Sequence, residues 1–430
     1  MTRQTRLSVA LGFLALSLVG CGMPNSGTAI RSTTGTAMSN VYSVGGQPQL
    51  IVKRRMGIQA LSSVKNVRRV RSTQISGVEV DAVTDGNLEA ALQALKNDPS
   101  VVYAEPNYRL SIPTLQDEVK AEAITPNPES NFKGEYGPKL IQSLEANAKT
   151  DGKGQIIAVV DTGVDLTHPD LAPKLVPGVN TADTKATAAD DQGHGTNCAG
   201  IAASLKDDQG GIVGVAPGAK IMPVKVLGAD GSGSDASVAE GIKWAADHGA
   251  TVISLSLGGP SPTQTGAEAV KYALSKGCVV VAAMGNNGSG QKSYPAAYPG
   301  VIAVAASDCN DKIASFSQYG TWCSVSAPGY SILSTFPTYN VSGIDEYAKN
   351  KDFMEKFGMR MQLKYAYVTG TSQATPHVAG LAALVRAANP SLTPDQVKAK
   401  IEGAAVHTSG MTADFDLHFG HGRINALKAL

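Results

Sequence analysis

Five near-continuous apolar runs in the last two-thirds of the chain limit its fold more than any other feature. They are residues 155–161 (QIIAVVD), 220–227 (KIMPVKVL), 252–257 (VISLSL), 279–284 (VVVAAM) and 301–307 (VIAVAAS). A strand with one wet face alternates apolar and polar residues. A run that is apolar throughout is buried on both faces, as in a parallel sheet covered by helices. Helical patterns fall between the runs, around 195–205, 236–248, 266–276 and 373–388. This alternation predicts an α/β domain over about 131–430 with a doubly wound, mostly parallel sheet. Its active crevice is expected at the carboxyl ends of the strands. No internal repeat is visible.

The first 130 residues read differently. Arg3 and Arg6 precede an apolar stretch over 7–19, too short to span a bilayer but suited to a secretory signal. It ends in Leu18-Val19-Gly20-Cys21, which resembles the lipobox of bacterial lipoproteins, where the cysteine is acylated and becomes the new N-terminus. An ordinary signal peptide with an incidental cysteine is the alternative. Residues 1–21 are thus expected to be a lipoprotein-type signal, and 22–47, rich in Gly, Ser and Thr, a flexible tether. From 48 to 112 the order is strand (Leu50-Ile51-Val52), short helix, two strands across 70–84, helix (Leu88, Ala91, Leu92, Leu95) and strand (101–108). That order predicts a small ferredoxin-like α+β domain. Residues 113–130, with Pro113, Pro126 and Pro128, read as a linker.

Composition excludes several functions. A formal charge of +1 leaves no basic field for nucleic acid, and 43% hydrophobic with 17% charged residues argues against general disorder. Five cysteines without a CxxC pair make a zinc ribbon or a disulfide-stapled miniprotein unsuitable readings.

Three polar segments fall where the crevice is expected. Asp161 ends the first strand in DTGVD, His194 opens a helix in GHGTNCAG, and Ser372 precedes a long apolar helix in GTSQATPHVAG. A serine hydroxyl is a poor nucleophile until a base takes its proton. Imidazole titrates near neutrality, and a carboxylate behind it fixes the tautomer and stabilises the imidazolium. Taken singly, these residues also suit a turn, a loop and a helix cap.

With HPDL, VLGADGSG, SLSLGGP, GNNG, YPAAYP, SFSQYG and SAPG in the same order, the segment 131–430 resembles the subtilisin-family serine proteases, in particular their thermitase-like branch. The resemblance implies His194 as general base, Ser372 as nucleophile, Asp161 as orienter and Asn286 as oxyanion donor together with the Ser372 amide. It implies that Gly231-Ser232-Gly233 and Ser256-Leu257-Gly258 line the substrate backbone as an added strand. It places Leu257, Gly258, Ala283 and Gly285 around the primary specificity pocket. These segments carry no charge, so an apolar or aromatic residue is expected before the scissile bond, with Ser293 narrowing the floor.

The resemblance also implies a calcium ion held by Asp170, Asp208 and backbone oxygens of Lys206, Gly210 and Ile212; carboxylates with carbonyls suit this hard cation. The small domain is similar to the family's inhibitory propeptide. Its charge of +3 over 1–130 opposes −2 over 131–430.

Several residues fall outside this scheme. His377 and the pair His418 and His421 are expected to be structural, and Cys198 a buried thiol. Cys309 and Cys323 could pair in a disulfide, or Cys278 with one of them. Gln373 stands where the family usually has methionine. An insertion at about 338–366, with Tyr347, Met354, Phe357 and Met361 at roughly helical spacing, either shapes the leaving-group side or decorates the surface.

The sequence therefore leads to an exported serine endopeptidase acting on polypeptides and made as a self-processing zymogen. Its own propeptide would be an intramolecular inhibitor. The precursor would be membrane-anchored through Cys21, and the mature domain released. The rivals are a non-catalytic lipoprotein binding module on the same scaffold and a dedicated processing protease for one partner.

Overall fold

The computed structural model describes residues 40–57, 64–116, 135–205 and 212–430. Asn40–Leu430 are one compact unit. Cys21, Lys206, Asp208, Gly210 and the first helix expected of the small domain lie outside the described residues.

The large sheet has seven strands, in the order Val325–Pro328, Ile302–Ser307, Val279–Ala283, Val252–Leu255, Ile156–Asp161, Lys220–Lys225 and Val179–Asn180. Every pairing in it is parallel. The apolar runs explain the layering. Side chains alternate across a strand, so Val279 and Val281 enter one core while Val280 and Ala282 enter the other. The first core is closed by helices His194–Ala203 and Thr371–Ala388, the second by Asp235–Asp247 and Gln264–Ser275. The sheet is thus doubly wound, and its five central strands are the five apolar runs. The two missed strands, Val179–Asn180 and Val325–Pro328, are the edges. Each is short, and neither carries a long apolar run.

The smaller sheet is antiparallel, in the order Val101–Pro106, Gln47–Arg54, Val78–Val83 and Val67–Ser72. By position along the chain that is 4-1-3-2, with helix Leu88–Lys96 on one face over Leu50, Val52 and Val83. Pairing begins before residue 48. Tyr42 N–H donates to Asn107 O (2.7 Å), and Ser43–Val44 pairs with Gln47 and Pro48, so the end of the presumed tether belongs to this sheet.

The opposite face packs Ile51, Val78 and Val80 against Ala236 of helix Asp235–Asp247. Polar contacts flank this seam. Arg71 pairs with the buried Glu240 at 2.6 Å, and the Glu105 carboxylate accepts from the amides of Gln264 and Thr265 at 2.7 and 2.9 Å. Those amides open helix Gln264–Ser275, where a helix has unsatisfied donors and favours negative charge.

The insertion is ordered structure. Helices Ser342–Lys349 and Lys351–Lys356 lead to strand Arg360–Met361, which pairs antiparallel with Lys364–Val368, which in turn pairs antiparallel with Ile332–Phe336. No disulfide joins the four described cysteines, so the expected pairings among Cys278, Cys309 and Cys323 are not made. Burial of Cys278 and Cys323 in the second core accounts for two of them, since each is packed among apolar side chains. Among the described residues no helix is long and apolar enough to cross a membrane.

Candidate active site

Asp161 is the last residue of the interior strand Ile156–Asp161, fully buried, at the carboxyl end where the doubly wound rule puts a site. Its Oδ1 accepts from Thr162 N–H (2.7 Å) and from Nδ1–H of His194 (2.8 Å). His194 is the first residue of its helix, and its amide donates to Gln192 Oε1 at 2.9 Å. Burial disfavours an imidazolium here, but the Asp161 carboxylate outweighs it and holds the His194 pKa well above the ordinary 6.5. Nε2 of His194 has no hydrogen-bond partner among the described residues, which leaves it available to a reacting group.

Two residues that the sequence reading missed hold this pair. Asp190, buried, accepts through Oδ1 from Thr162 Oγ1 (2.9 Å) and Gly193 N–H (2.8 Å), and through Oδ2 from Thr196 N–H (2.9 Å). It therefore ties the Asp161 strand to the His194 helix. Lys225 donates from a buried Nζ to the carbonyls of Thr162 (2.7 Å) and Leu227 (2.8 Å) and to Asp191 (2.6 Å). Asp190 sits four residues before His194 in DDQGHG, a spacing that could have drawn attention to it.

Ser372 is the second residue of the 18-residue helix Thr371–Ala388. Pro376, four residues on, has no N–H, so the Ser372 carbonyl loses its helical partner. Ser256 Oγ donates to that carbonyl instead, at 2.8 Å, and the Cys198 thiol lies 3.6 Å from it. The helix thus uses a proline to bind its first turn to the strand end that carries Ser256. The Ser372 hydroxyl donates to Ser256 O at 3.1 Å rather than to His194.

Asn286 follows the strand Val279–Ala283. Its Oδ1 accepts from both Thr371 N–H (2.9 Å) and Thr371 Oγ1 (2.8 Å), which sets the amide so that Nδ2 faces outward. Nδ2 donates to the carbonyl of Pro113 at 2.8 Å.

Arg109–Ser111 pairs antiparallel with Ser232–Ser234, while Ser111 exchanges two hydrogen bonds with Gly258, at 3.1 and 2.9 Å. Ile112 N–H donates to Gly231 O at 3.0 Å. Residues 109–112 are therefore a middle strand between the two segments expected to hold a substrate backbone. In this register residue 113 falls opposite Ser256, but Pro113 has no N–H to offer its carbonyl. The Ser372 hydroxyl occupies that acceptor.

Around the expected pocket Leu257, Ala283 and Gly285 are buried. Any Cβ at Gly258 would collide with Ser293 Oγ, and one at Gly285 with the Gln318 side chain. Two uncharged polar groups thus back an otherwise apolar wall; Gln318 lies in SFSQYG but was not foreseen beside the pocket. The adjoining cleft, about 390 Å³, is also lined by Phe353, Met354, Met359 and Met361 of the insertion. The insertion is fastened beside the site: Thr338 N–H and Oγ1 donate to Asp165 (2.9 and 2.8 Å), and Tyr339 OH donates to Asp190 O (2.9 Å). It is part of the cleft wall rather than a remote decoration.

Of the expected calcium ligands, Asp170 and Ile212 are described and both are buried. Asp170 accepts from Tyr365 OH of the insertion at 2.8 Å. Glu135, not foreseen, is buried nearby and accepts from Val213 N–H at 3.1 Å. Burial, with the Asp170 charge adding to it, pushes the Glu135 carboxyl up to about 8. Among the described residues neither carboxylate has a salt-bridge partner. Two neighbouring buried carboxylates without a counter-charge fit a hard divalent cation.

The three histidines expected to be structural make packing and backbone contacts. His377 is buried, bonds the Gln373 carbonyl one turn back (2.8 Å) and is pushed down to about 4 by desolvation. His418 stacks on Tyr319, and His421 meets Phe415 edge-on. Gln373 is buried and donates to Asn197 Oδ1 at 3.3 Å. Burial pushes up the pKa of the Cys198 thiol, 3.8 Å from His194 Nδ1, and this disfavours the thiolate.

Residues 152–422 match the model of the subtilase family. The chain is 40% identical over 391 residues to a thermophilic serine proteinase of Bacillus sp. (strain AK1), covering 89% of this chain and 87% of that one. It is 44% identical over 306 residues to thermitase of Thermoactinomyces vulgaris, covering 71% and 99%. The crystal structure of fervidolysin from Fervidobacterium pennivorans, described as a keratinolytic enzyme related to subtilisin, matches with a TM-score of 0.72 at 30% identity. That match covers 91% of this chain and 62% of fervidolysin. An Asp161–His194 pair at the carboxyl end of a parallel sheet, beside a helix whose second residue is Ser372, agrees with these likenesses: the chain belongs to the subtilase family and is a subtilisin-like serine protease.

Proposed function

We propose that this chain is an exported endopeptidase that hydrolyses peptide bonds with Asp161, His194 and Ser372, and that it is made as a self-processing zymogen. The observation that carries the reading is its own segment 109–113, seated as a strand in the cleft with its last carbonyl on Asn286 Nδ2. That is how an extended peptide would be gripped, through backbone bonds that tolerate many sequences. Such a grip suits a peptidase of broad range, and the Asp161–His194 pair beside it speaks against a mere binding module.

In the reaction the Ser372 hydroxyl turns from the Ser256 carbonyl to His194 Nε2 and gives up its proton as Oγ attacks the substrate carbonyl carbon. Asn286 Nδ2 and the Ser372 amide hold the oxygen as it becomes an anion. Asp161 stabilises the imidazolium, which returns the proton to the departing nitrogen. Water repeats the cycle on the ester. The pocket wall, Leu257, Gly258, Ala283 and Gly285, takes an uncharged residue before the bond.

Residues of about 48–112 act as the inhibitor, held on the two helices by the Ile51 seam and by Glu105. Asp170, Glu135 and Asp208, with the backbone oxygens of Lys206, Gly210 and Ile212, would hold a calcium ion, which would supply the positive charge that the buried Asp170 and Glu135 carboxylates need. Cys21 is acylated, so cleavage between inhibitor and protease also frees the mature enzyme from the membrane. Profiling purified enzyme on a peptide library, with Ser372→Ala as control, tests the reading. Cleavage by wild type alone, with an uncut precursor of the variant, is expected. Equal cleavage by both proteins would reject it.

A further inference from the structure

Residues 109–116 do more than block the cleft, because their register selects one bond. Ser111 is paired with Gly258, and Ile112 with Gly231. Shifting the strand by one residue would break both pairings and turn every side chain to the opposite side. Leu110 and Ile112 oppose such a slip. Leu110 is buried in the second core beside Leu227 and Leu257, so close to the backbone that a Cβ on Gly259 would stand 2.6 Å from its Cδ2. A Cβ on Gly231 would likewise stand 2.9 Å from Ile112 Cδ1. With the register locked, the carbonyl that reaches Asn286 Nδ2 is that of Pro113 and no other. Thr114, exposed, and Leu115 continue into the part of the cleft lined by Phe353 and Met354 of the insertion.

We infer that Pro113–Thr114 is the bond this chain cuts in itself, an inference that rests on the serine-protease reading given above. Ser372 Oγ bonds to the Pro113 carbonyl carbon, and the bond from that carbon to the Thr114 nitrogen breaks. The serine proton passes through His194 to Thr114, which leaves as the new amino terminus. Water then adds to the ester, leaves Pro113 with a carboxylate and restores the Ser372 hydroxyl. The inhibitor so produced ends at Pro113 and keeps all its backbone bonds to Gly231 and Gly258, so it remains seated after the cut. Because the cut segment already lies in its own cleft, the step is first order.

The test is to refold full-length precursor, quench samples at short times and measure fragment masses. The earliest pair should end at Pro113 and begin at Thr114, at a rate independent of protein concentration. Thr114→Pro places a ring on the leaving nitrogen at an exposed position. It should slow formation of that pair about a hundredfold, the scale a misplaced reacting group costs. An earliest fragment ending elsewhere, a rate proportional to concentration, or an unchanged rate in Thr114→Pro would overturn the assignment. Hydrolysis of added casein by wild type but not by Ser372→Ala separates the two ideas. If it persists while the fragment ends elsewhere, the assignment alone falls; if it is absent, the protease reading falls first.

Discussion

Thr371 is the residue through which the oxyanion role proposed for Asn286 can be tested without touching that asparagine. Its N–H and hydroxyl both bind Asn286 Oδ1, and its Oγ1 also accepts from Gly285 N–H at 3.1 Å. Thr371→Val preserves the shape and the amide bond but removes the hydroxyl. One neutral hydrogen bond is worth about 0.5–1.5 kcal/mol, which corresponds to a fall in kcat of about 2- to 13-fold. Removing the donor itself, in Asn286→Ala, should cost about 10²–10³. KM should move little in either variant, because the lost interaction strengthens only as charge develops. Thr371→Ser keeps the hydroxyl and should retain most activity. Gly285 N–H is stranded in the valine variant, so that protein should also lose about 1–3 kcal/mol of stability. The assay is steady-state kinetics on a chromogenic peptide, arranged as a double-mutant cycle. If Thr371 acts by aiming Asn286, its substitution should have little further effect in the Asn286→Ala background. Fully additive losses would refute that reasoning, as would an unchanged kcat in Thr371→Val.

Since catalysis needs neutral imidazole and Asp161 raises the His194 pKa, activity should fall as pH drops through a value above 6.5. A kcat/KM profile whose acid limb lies below 6.5 would contradict this assignment. A cation bound only by the folded state stabilises it by mass action. Chelator should therefore lower the Tm of inhibited enzyme, with Asp208→Ala lowering it likewise, whereas a Tm insensitive to chelator would remove calcium from the account. Pro113→Ala restores an N–H for the Ser256 carbonyl and releases the Ser372 hydroxyl toward His194, so the first self-cut should quicken by about 2- to 13-fold, one hydrogen bond's worth. Quenched refolding measures the rate, and a slower cut would show that the proline is no brake.

The parallel sheet was legible because burial on both faces leaves an unbroken apolar run, as in VVVAAM. The edge strand Val325–Pro328 was not, since four residues among serines leave too little pattern. Asp161, His194, Asn286 and Ser372 stood out through dense Gly- and Ser-containing segments at strand and helix ends. What supports them did not. Asp190 and Thr371 are ordinary polar residues whose importance comes from partners that lie far away in sequence, such as Thr162 and Asn286. Glu135 gave no signal, because a carboxylate becomes a candidate cation ligand only when folding buries it near Asp170. Residues 40–44 look like loop by composition for a similar reason, but their backbone groups pair with residues 47–49 and 107–109. The insertion's helices were suggested by spacing, while its position on the cleft depends on Thr338, Tyr339 and Tyr365 finding acceptors elsewhere.

The central claim is that Ser372 is a nucleophile activated by His194 and Asp161. A serine-directed fluorophosphonate tests it most directly, applied to matured enzyme and followed by peptide mass mapping alongside residual activity. The account predicts one phosphonyl group per chain, on Ser372 Oγ, with peptidase activity lost in proportion to labelling. Label on another residue, or full activity in a completely labelled enzyme, would contradict it.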